Sequence, residues 1–304
     1  MTELRKQINN IVEDHQECLV LAKSVGSTDV YEGTTATPED IRKGKTAYSN
    51  GKFIEGISTA RMTDCDCKLD FFNNALATYN QTVGQAIRKI DLTGTDLTGI
   101  TSLASKFQRF TGVQEVIIDM QGITDANNCF SDCTNLIADK VILTNTKDLE
   151  NASFMFNGCK KLTTTVEFDT SGLKSVGRMY QGCTNITVMK PMDFSSANSG
   201  VSSFFTGGLQ NLKTIEGISN LGKGYTEKTE NYSDYMVKLY EASYIDSESV
   251  LRVIEGLADL NEVYDVANGG TLYRQTLALG SAHGNKVTAA QKQIATDKGW
   301  RVTS

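Results

Sequence analysis

The chain has 304 residues, a formal net charge of −6 and 22% charged residues. That length accommodates two or three compact units or one elongated repeat domain with small appendages, and an acidic balance without a dense Lys/Arg block excludes a backbone-driven nucleic-acid binder. No apolar run reaches the roughly 18–20 residues that span a bilayer, so no membrane insertion is expected, and "MTELRKQINNIVEDHQE" is too charged for a secretion signal.

From the N-terminus, Leu4, Ile8, Ile11, His15, Cys18, Ala22 and Val25 fall at alternating spacings of four and three. This is the seam of a short coiled coil, expected to join copies of the chain. A single amphipathic helix packed on its own domain has the same pattern. His15 reads either as tolerated polarity or as the residue that sets register. Residues 26–38 are small and polar and form an extended tether.

Gly44-Lys45-Thr46 has the look of the end of a phosphate loop. Such a loop needs a glycine five positions earlier and a preceding strand. Position 39 is Glu and no strand precedes it. The flanking residues fit a β-hairpin instead: Thr46 and Tyr48 lead into Asn50-Gly51, a pair that tolerates positive φ at both centres of a type I′ turn, and Phe53 and Ile54 follow. A lone hairpin is marginal in water, so this one is expected to dock on a partner or to trimerise. Beyond it, residues 69–87 read as helical. Cys65-Asp66-Cys67 lacks a second Cys/His pair at metal-binding spacing.

Self-comparison then reveals a repeat. "CFSDCTNL", "MFNGCKKL", "MYQGCTNI" and "FFTGGLQNL" place Phe130, Phe156, Tyr180 and Phe205 at intervals of 26, 24 and 25 residues. Between them lie β-prone pieces beginning at Val116, Val141, Val166 and Lys190, with an earlier relative at Arg88. Each unit is expected to be one strand plus a short helical or 3₁₀ turn, stacked as a solenoid. Leu136, Leu162, Ile186 and Leu212 form one interior ladder, the aromatics a second, and Cys133, Cys159 and Cys183 a third. Gly208 takes the cysteine slot in the last unit. The thiols read as small buried hydrophobes; a soft-metal or disulfide role is the alternative. Seven cysteines in all is an odd number, which argues against a disulfide framework.

After residue 221 the chain turns polar, then carries a helix with Asp246 or Ser247 as N-cap, a strand near residues 271–280 and a last helix stopped by Gly299. Trp300 is expected under this module, with carbohydrate stacking as the alternative.

The units "NASFMFNGCKKLTTTVEFD" and "VGRMYQGCTNIT" resemble the BspA-like leucine-rich repeats of bacterial surface proteins and of tailed-bacteriophage proteins. "LALGSAHGNKVTAAQKQIATDKGWRV" is similar to a terminal module that follows such repeats in phage-encoded proteins. "ATPEDIRKGKTAYSNGKFIEG" resembles a short element near the N-termini of phage fibre, tail and other virion proteins. The implied fold class is α/β: an N-terminal helix (coiled coil) and β-hairpin, a short leucine-rich-repeat-like solenoid and an α/β C-terminal cap. The boundaries are 1–60 for oligomerisation and virion attachment, 61–88 for a connecting helical segment, 89–221 for the solenoid and 222–304 for the cap.

The resemblance implies a virion structural protein of tail or fibre type, made in the host cytoplasm, whose solenoid is displayed for host binding. A head-decorating fibre and a bacterial surface adhesin are the alternatives. Expected partners are other virion proteins, further copies of the chain, and a host cell-surface glycan or protein. No cofactor and no enzymatic activity are expected, because neither His15 nor His283 stands in a recognised catalytic signature.

Overall fold

In the computed structural model, residues 88–93, 97–225 and 236–304 are described in full, together with the backbone of three short strands nearer the N-terminus. Those strands are β1 (Ala47–Ser49), β2 (Lys52–Ile54) and β3 (Arg61–Met62). β1 and β2 pair antiparallel with Tyr48 opposite Phe53 and Ala47 opposite Ile54, which leaves Asn50 and Gly51 as the two residues between them. The heptad segment, the tether and the expected helix from residue 69 lie outside the described residues.

The described chain is mixed α/β, with short helices and small parallel sheets. Successive units stack in parallel, and the bridges Ser102–Asp125, Asp125–Asn151, Asn151–Ser175 and Ser175–Ser199 tie equivalent positions of five rungs. From each bridge a ribbon of turns runs into the aromatic-x-x-Cys segment. In the first rung the N–H groups of Leu103, Ser105, Phe107 and Arg109 donate to carbonyls of the second, at 2.7–3.0 Å. Ala126, Asn128, Phe130 and Asp132 do the same to the third rung, and Ala152, Phe154, Phe156 and Gly158 to the fourth. The intervening residues close i→i+3 turns, as in Cys129 N–H to Ala126 O at 3.0 Å and Cys133 N–H to Phe130 O at 3.1 Å.

This ribbon replaces the helical turn expected from sequence. Its geometry requires two left-handed residues per rung, one two positions before the aromatic and one two positions after. A left-handed residue breaks a right-handed helix. Only the fifth rung contains helix, α1 (Val201–Phe204). There the offset between bonded partners grows from 23 residues (Val176 N–H to Ser199 O) to 25 (Gly182 N–H to Gly207 O), making room for the extra turn.

Strands β4 (Lys89–Asp91), β5 (Glu115–Asp119) and β6 (Val141–Thr144) extend β3 into a four-stranded parallel sheet. Their alternation follows the pleat: Val116 and Ile118, and Val141 and Leu143, face the core. The sheet then stops. The strand expected from Val166 does not form, because the buried Val166 N–H donates to the Tyr180 hydroxyl at 3.2 Å instead of to a neighbouring strand. Threonine hydroxyls carry the connection there. Thr146 Oγ1 donates to Asp169 O, and Thr170 Oγ1 both donates to Asp193 O and accepts from Asp193 N–H, all at 2.8–2.9 Å. Regular pairing resumes as β7 (Val188–Met189) with β9 (Thr214–Ile215), and β8 (Met192–Asp193) with β10 (Ile218–Ser219).

The phenol at position 180 is thus a built-in hydrogen-bond partner, and Tyr180→Phe tests it. A buried N–H left without an acceptor costs about 1–3 kcal/mol. The urea midpoint should fall accordingly; an unchanged midpoint would show that Val166 finds another acceptor.

The C-terminal module packs on the fifth rung. β11 (Met236–Lys238), β12 (Thr276–Ala278) and β13 (Arg301–Thr303) form a parallel sheet in that order. α2 (Ser247–Glu255) starts at Asp246, whose carboxylate accepts from Ser249 N–H at 2.7 Å. Asp246 N–H to Lys213 O, Ile215 N–H to Ser249 Oγ and Arg252 Nη1 to Ile215 O, at 2.8–2.9 Å, join it to the stack, with Thr214 Oγ1 to Asp246 Oδ2 at 3.4 Å. α3 (Leu260–Val263), α4 (Gly280–Gly284) and α5 (Ala289–Asp297) complete the module, and Thr288 and Gln291 form a capping box on α5.

Trp300 is 1% exposed and its Nε1–H donates to Ala258 O at 2.9 Å, so it presents no ring face to a sugar. Gly222 (φ +91°) lies directly beneath it, where a Cβ would come within 2.5 Å of the indole. Buried side chains run as one cluster from Ile90 to Trp300. Among the described residues no helix is long and apolar enough to cross a membrane.

Candidate functional site

The ladder residues expected from sequence lie in that core. Phe130, Cys133, Leu136, Phe156, Cys159, Leu162, Tyr180, Cys183, Ile186, Phe205 and Leu212 all have no exposed surface. The aromatic stack begins one unit earlier than the repeat suggested, at Phe107. The rings of Phe107, Phe130, Phe156 and Tyr180 are 5.5–5.6 Å apart and within 13° of parallel. In the first rung Phe110 stands in the cysteine slot and Val113 in the leucine slot, a substitution that hides the unit from a search for aromatic-x-x-Cys. At the other end Phe204, not Phe205, meets Tyr180, edge-on at 6.2 Å, and Phe205 packs against Phe204.

The cysteine slot has a polar function that sequence did not suggest. Cys133, Cys159 and Cys183 each donate a thiol hydrogen bond, at 3.0–3.2 Å, to the backbone carbonyl of the aromatic one rung back: Phe107, Phe130 and Phe156. Each thiol therefore points at a carbonyl. Burial raises all of their pKa values, that of Cys183 to about 12. Because the thiolate is the reactive and metal-binding form, Cys129, Cys133, Cys159 and Cys183 should resist a maleimide in the native protein at pH 7–8. Peptide mapping should find label on them only after denaturation; native labelling of any of the four would contradict the buried ladder.

His283 is buried on α4. Its Nε2 lies 3.0 Å from Ala242 O and its Nδ1 3.4 Å from Lys286 Nζ, itself bonded to Ile245 O. Lysine can only donate, so Nδ1 accepts and the ring is the neutral Nε2–H tautomer. Burial, then the Lys286 charge, lower its pKa. The unfolded chain takes this proton near pH 6.5, the folded protein only at lower pH. Stability should thus be complete above pH 6.5 and decline as pH falls through the folded value; His283→Gln should lose that decline in denaturation midpoints measured between pH 8 and 5. Among the described residues, no group of three or more His, Cys, Asp or Glu could hold a metal ion.

What the stack offers outward is the ribbon. Its first left-handed row reads Ser105, Asn128, Phe154 and Arg178; its second reads Arg109, Asp132, Gly158, Gly182 and Gly207. The second row turns to glycine where the first never does. Asn and Asp tolerate this conformation because their side chains bond locally, whereas for other residues it costs roughly 1–2 kcal/mol each. Phe154 (φ +57°) and Arg178 (φ +54°) bear that cost on the surface, half-buried and exposed respectively. The guanidinium lies 5.7 Å from the Phe154 ring centroid. Such a pair returns about 0.5–1 kcal/mol at an exposed site, less than the strain of the two residues.

Two acids of the second rung are engaged. Asp125 accepts from Asn127 N–H at 3.0 Å and Ser102 Oγ at 3.1 Å, and Asp132 faces Arg109 at 3.9 Å. Asn157 Nδ2 donates to Gln181 Oε1 at 3.2 Å, leaving the Gln181 Nε2 donors at the end of the amide pair. Arg178 takes part in no ion pair among the described residues.

Of the expected docking hairpin, Tyr48, Phe53 and Ile54 are on the paired strands, while Thr46, Asn50 and Gly51 lie outside the described residues. The proposed oligomer seam, Leu4, Ile8, Ile11, His15 and Cys18, also lies outside them.

Residues 95–215 match a family described as "Mycoplasma protein of unknown function, DUF285". This span contains the five rungs of the ribbon and ends at β9. Among curated proteins none matches the chain.

Proposed function

We propose that this is a non-enzymatic structural and binding protein of a bacteriophage particle, of tail or fibre type. In this reading the stack is a short leucine-rich-repeat-like solenoid displayed for contact with the host surface and closed by the C-terminal module. The observation that carries the display is the ribbon: a regular outward face, four rungs of which are joined by unbroken backbone bonding, that spends backbone strain on a half-buried aromatic and an exposed arginine. The attachment half rests on the resemblance of residues 36–56 to N-terminal elements of virion proteins, together with the pairing of Tyr48 opposite Phe53. Residues 1–25 would assemble three copies, turning weak single contacts into avidity.

Electron microscopy of particles carrying the tagged protein tests this reading. Density on the tail supports it, density on the head selects a decorating fibre, and absence from purified particles overturns a virion role. Deleting residues 38–56 should release the protein from particles while leaving the stack folded. A second reading, a bacterial surface adhesin, is favoured by the match of the repeat region to a family described from a cellular organism. Display on cells with absence from particles would select it.

A further inference from the structure

We propose that Asn268 is a site of self-modification: the backbone nitrogen of Gly269 converts its side-chain amide to a carboxylate, with water as the only co-reactant. The Gly269 nitrogen gives up its proton to solvent and attacks Cγ of Asn268, forming a C–N bond. The Cγ–Nδ2 bond breaks, and the amide nitrogen takes up a proton from solvent and leaves as ammonia. Water then opens the resulting cyclic imide at either carbonyl, leaving aspartate or isoaspartate. One water is consumed, one ammonia is released and nothing is oxidised or reduced. The inference stands apart from the host-binding reading.

A glycine after the asparagine favours such an attack, because no Cβ shields the backbone nitrogen. The sequence holds three Asn-Gly pairs, of which Asn157–Gly158 and Asn268–Gly269 are among the described residues. The fold treats these two oppositely. Gly158 is buried, with Asp132 Oδ1 2.3 Å from where its Cβ would stand, and its N–H donates to Gln181 O one rung on at 2.7 Å. Asn157 Nδ2 is held by Gln181 Oε1 at 3.2 Å. Freeing that backbone nitrogen means parting two rungs. Asn268, Gly269 and Gly270 are exposed, and nothing lies within 4 Å of a Cβ placed on Gly269. The Gly269 N–H donates to Val266 O at 3.1 Å, and the N–H groups of Asn268 and Gly270 both donate to Asp265 O at 3.0 Å. These partners all lie within residues 265–270, so the turn opens without disturbing the stack. The product also differs from the reactant in charge. Asn268 Nδ2 donates to Asp265 Oδ1 at 2.7 Å, and conversion to a carboxylate replaces that bond by like-charge repulsion, at an Asp265 held left-handed (φ +49°). The modified turn should therefore stay open.

The test incubates the full-length protein in neutral buffer at physiological temperature and follows aspartate and isoaspartate in its peptides by mass spectrometry. In the native protein the peptide holding Asn268 should convert about tenfold or more faster than the one holding Asn157, while in urea the two should convert at similar rates. The comparison is internal to wild type, so no variant has to fold. Asn268→Asp, which reproduces one product, should speed amide hydrogen exchange over residues 265–270 severalfold and leave that of rungs two to four unchanged. Three results would overturn the proposal: no conversion at Asn268 in the native protein, native conversion at Asn157 as fast as at Asn268, or the same ratio of rates in urea as in the native protein, which would assign the difference to flanking sequence. Unchanged exchange in Asn268→Asp would overturn the opening of the turn.

Discussion

Replacing Gly208 by cysteine, which would make the fifth rung conform to Cys133, Cys159 and Cys183, is expected to destabilise the protein by about 3 kcal/mol, the upper end for overpacking a well-filled core. In the three preceding rungs the thiol reaches the carbonyl of the aromatic one rung back. In the fifth, the backbone itself occupies that place: a Cβ on Gly208 would stand 1.8 Å from Tyr180 O and 2.6 Å from its carbonyl carbon. Neither obstacle is a flexible side-chain end, so the rung must shift as a whole. Gly208→Ala should cost nearly as much, because the clash is with Cβ and not with sulfur. Gly122→Ala is the control, since Gly122 has positive φ but nothing within 4 Å of an added Cβ, and it should lose only the roughly 1 kcal/mol of left-handed strain. Urea unfolding of the three variants checks this. A loss at Gly208 no larger than at Gly122 would show that the stack relieves the close approach at little cost.

Phe156→Ala is expected to cost about 3–5 kcal/mol and to change the form of unfolding as well as its midpoint. Phe156 is fully buried between Phe130 and Tyr180, with ring centroids at 5.6 and 5.5 Å, so truncation removes two stacked partners and opens a cavity in the middle rung. In a one-dimensional stack each rung is stabilised only by its neighbours. A weakened third rung should therefore separate the first two from the last two. Trp300, the only tryptophan, sits in the C-terminal module and reports on the far side of the break. Its fluorescence transition and the far-ultraviolet circular dichroism transition should coincide in wild type and diverge in the variant. Coincident transitions in the variant would show that the break does not uncouple the rungs.

The exposed ion pairs that run from rung to rung are a lesser matter. Lys174 and Glu150 meet at 2.7 Å, and Lys190 and Glu216 at 3.2 Å, but each partner retains more than a quarter of its exposure. Pairs of this kind contribute about 0–1 kcal/mol each. They read as solvated trim along the stack, and the core ladders carry the stability.

The sequence by itself determined the interior of this protein. A period of 24 to 26 residues, with aromatic, cysteine and leucine at fixed offsets, identifies the side chains that share a ladder, because apolar surface repeated at one spacing can be buried only against its own repeats. Asp246 as a helix cap and Gly299 as a helix stop were legible for the same kind of local reason. Only the tertiary structure decided the rest. That the repeat is a ribbon of turns depends on backbone bonds to residues 22 to 25 positions away, which no local propensity encodes. That Val166 leaves the sheet depends on one phenol arriving from Tyr180, and that cysteine becomes glycine at 208 depends on a carbonyl reached across a rung. The surface pair of Phe154 and Arg178 was hidden for the same reason: in sequence they are 24 residues apart and unremarked, and only the stacking of one turn on the next puts a guanidinium over a ring.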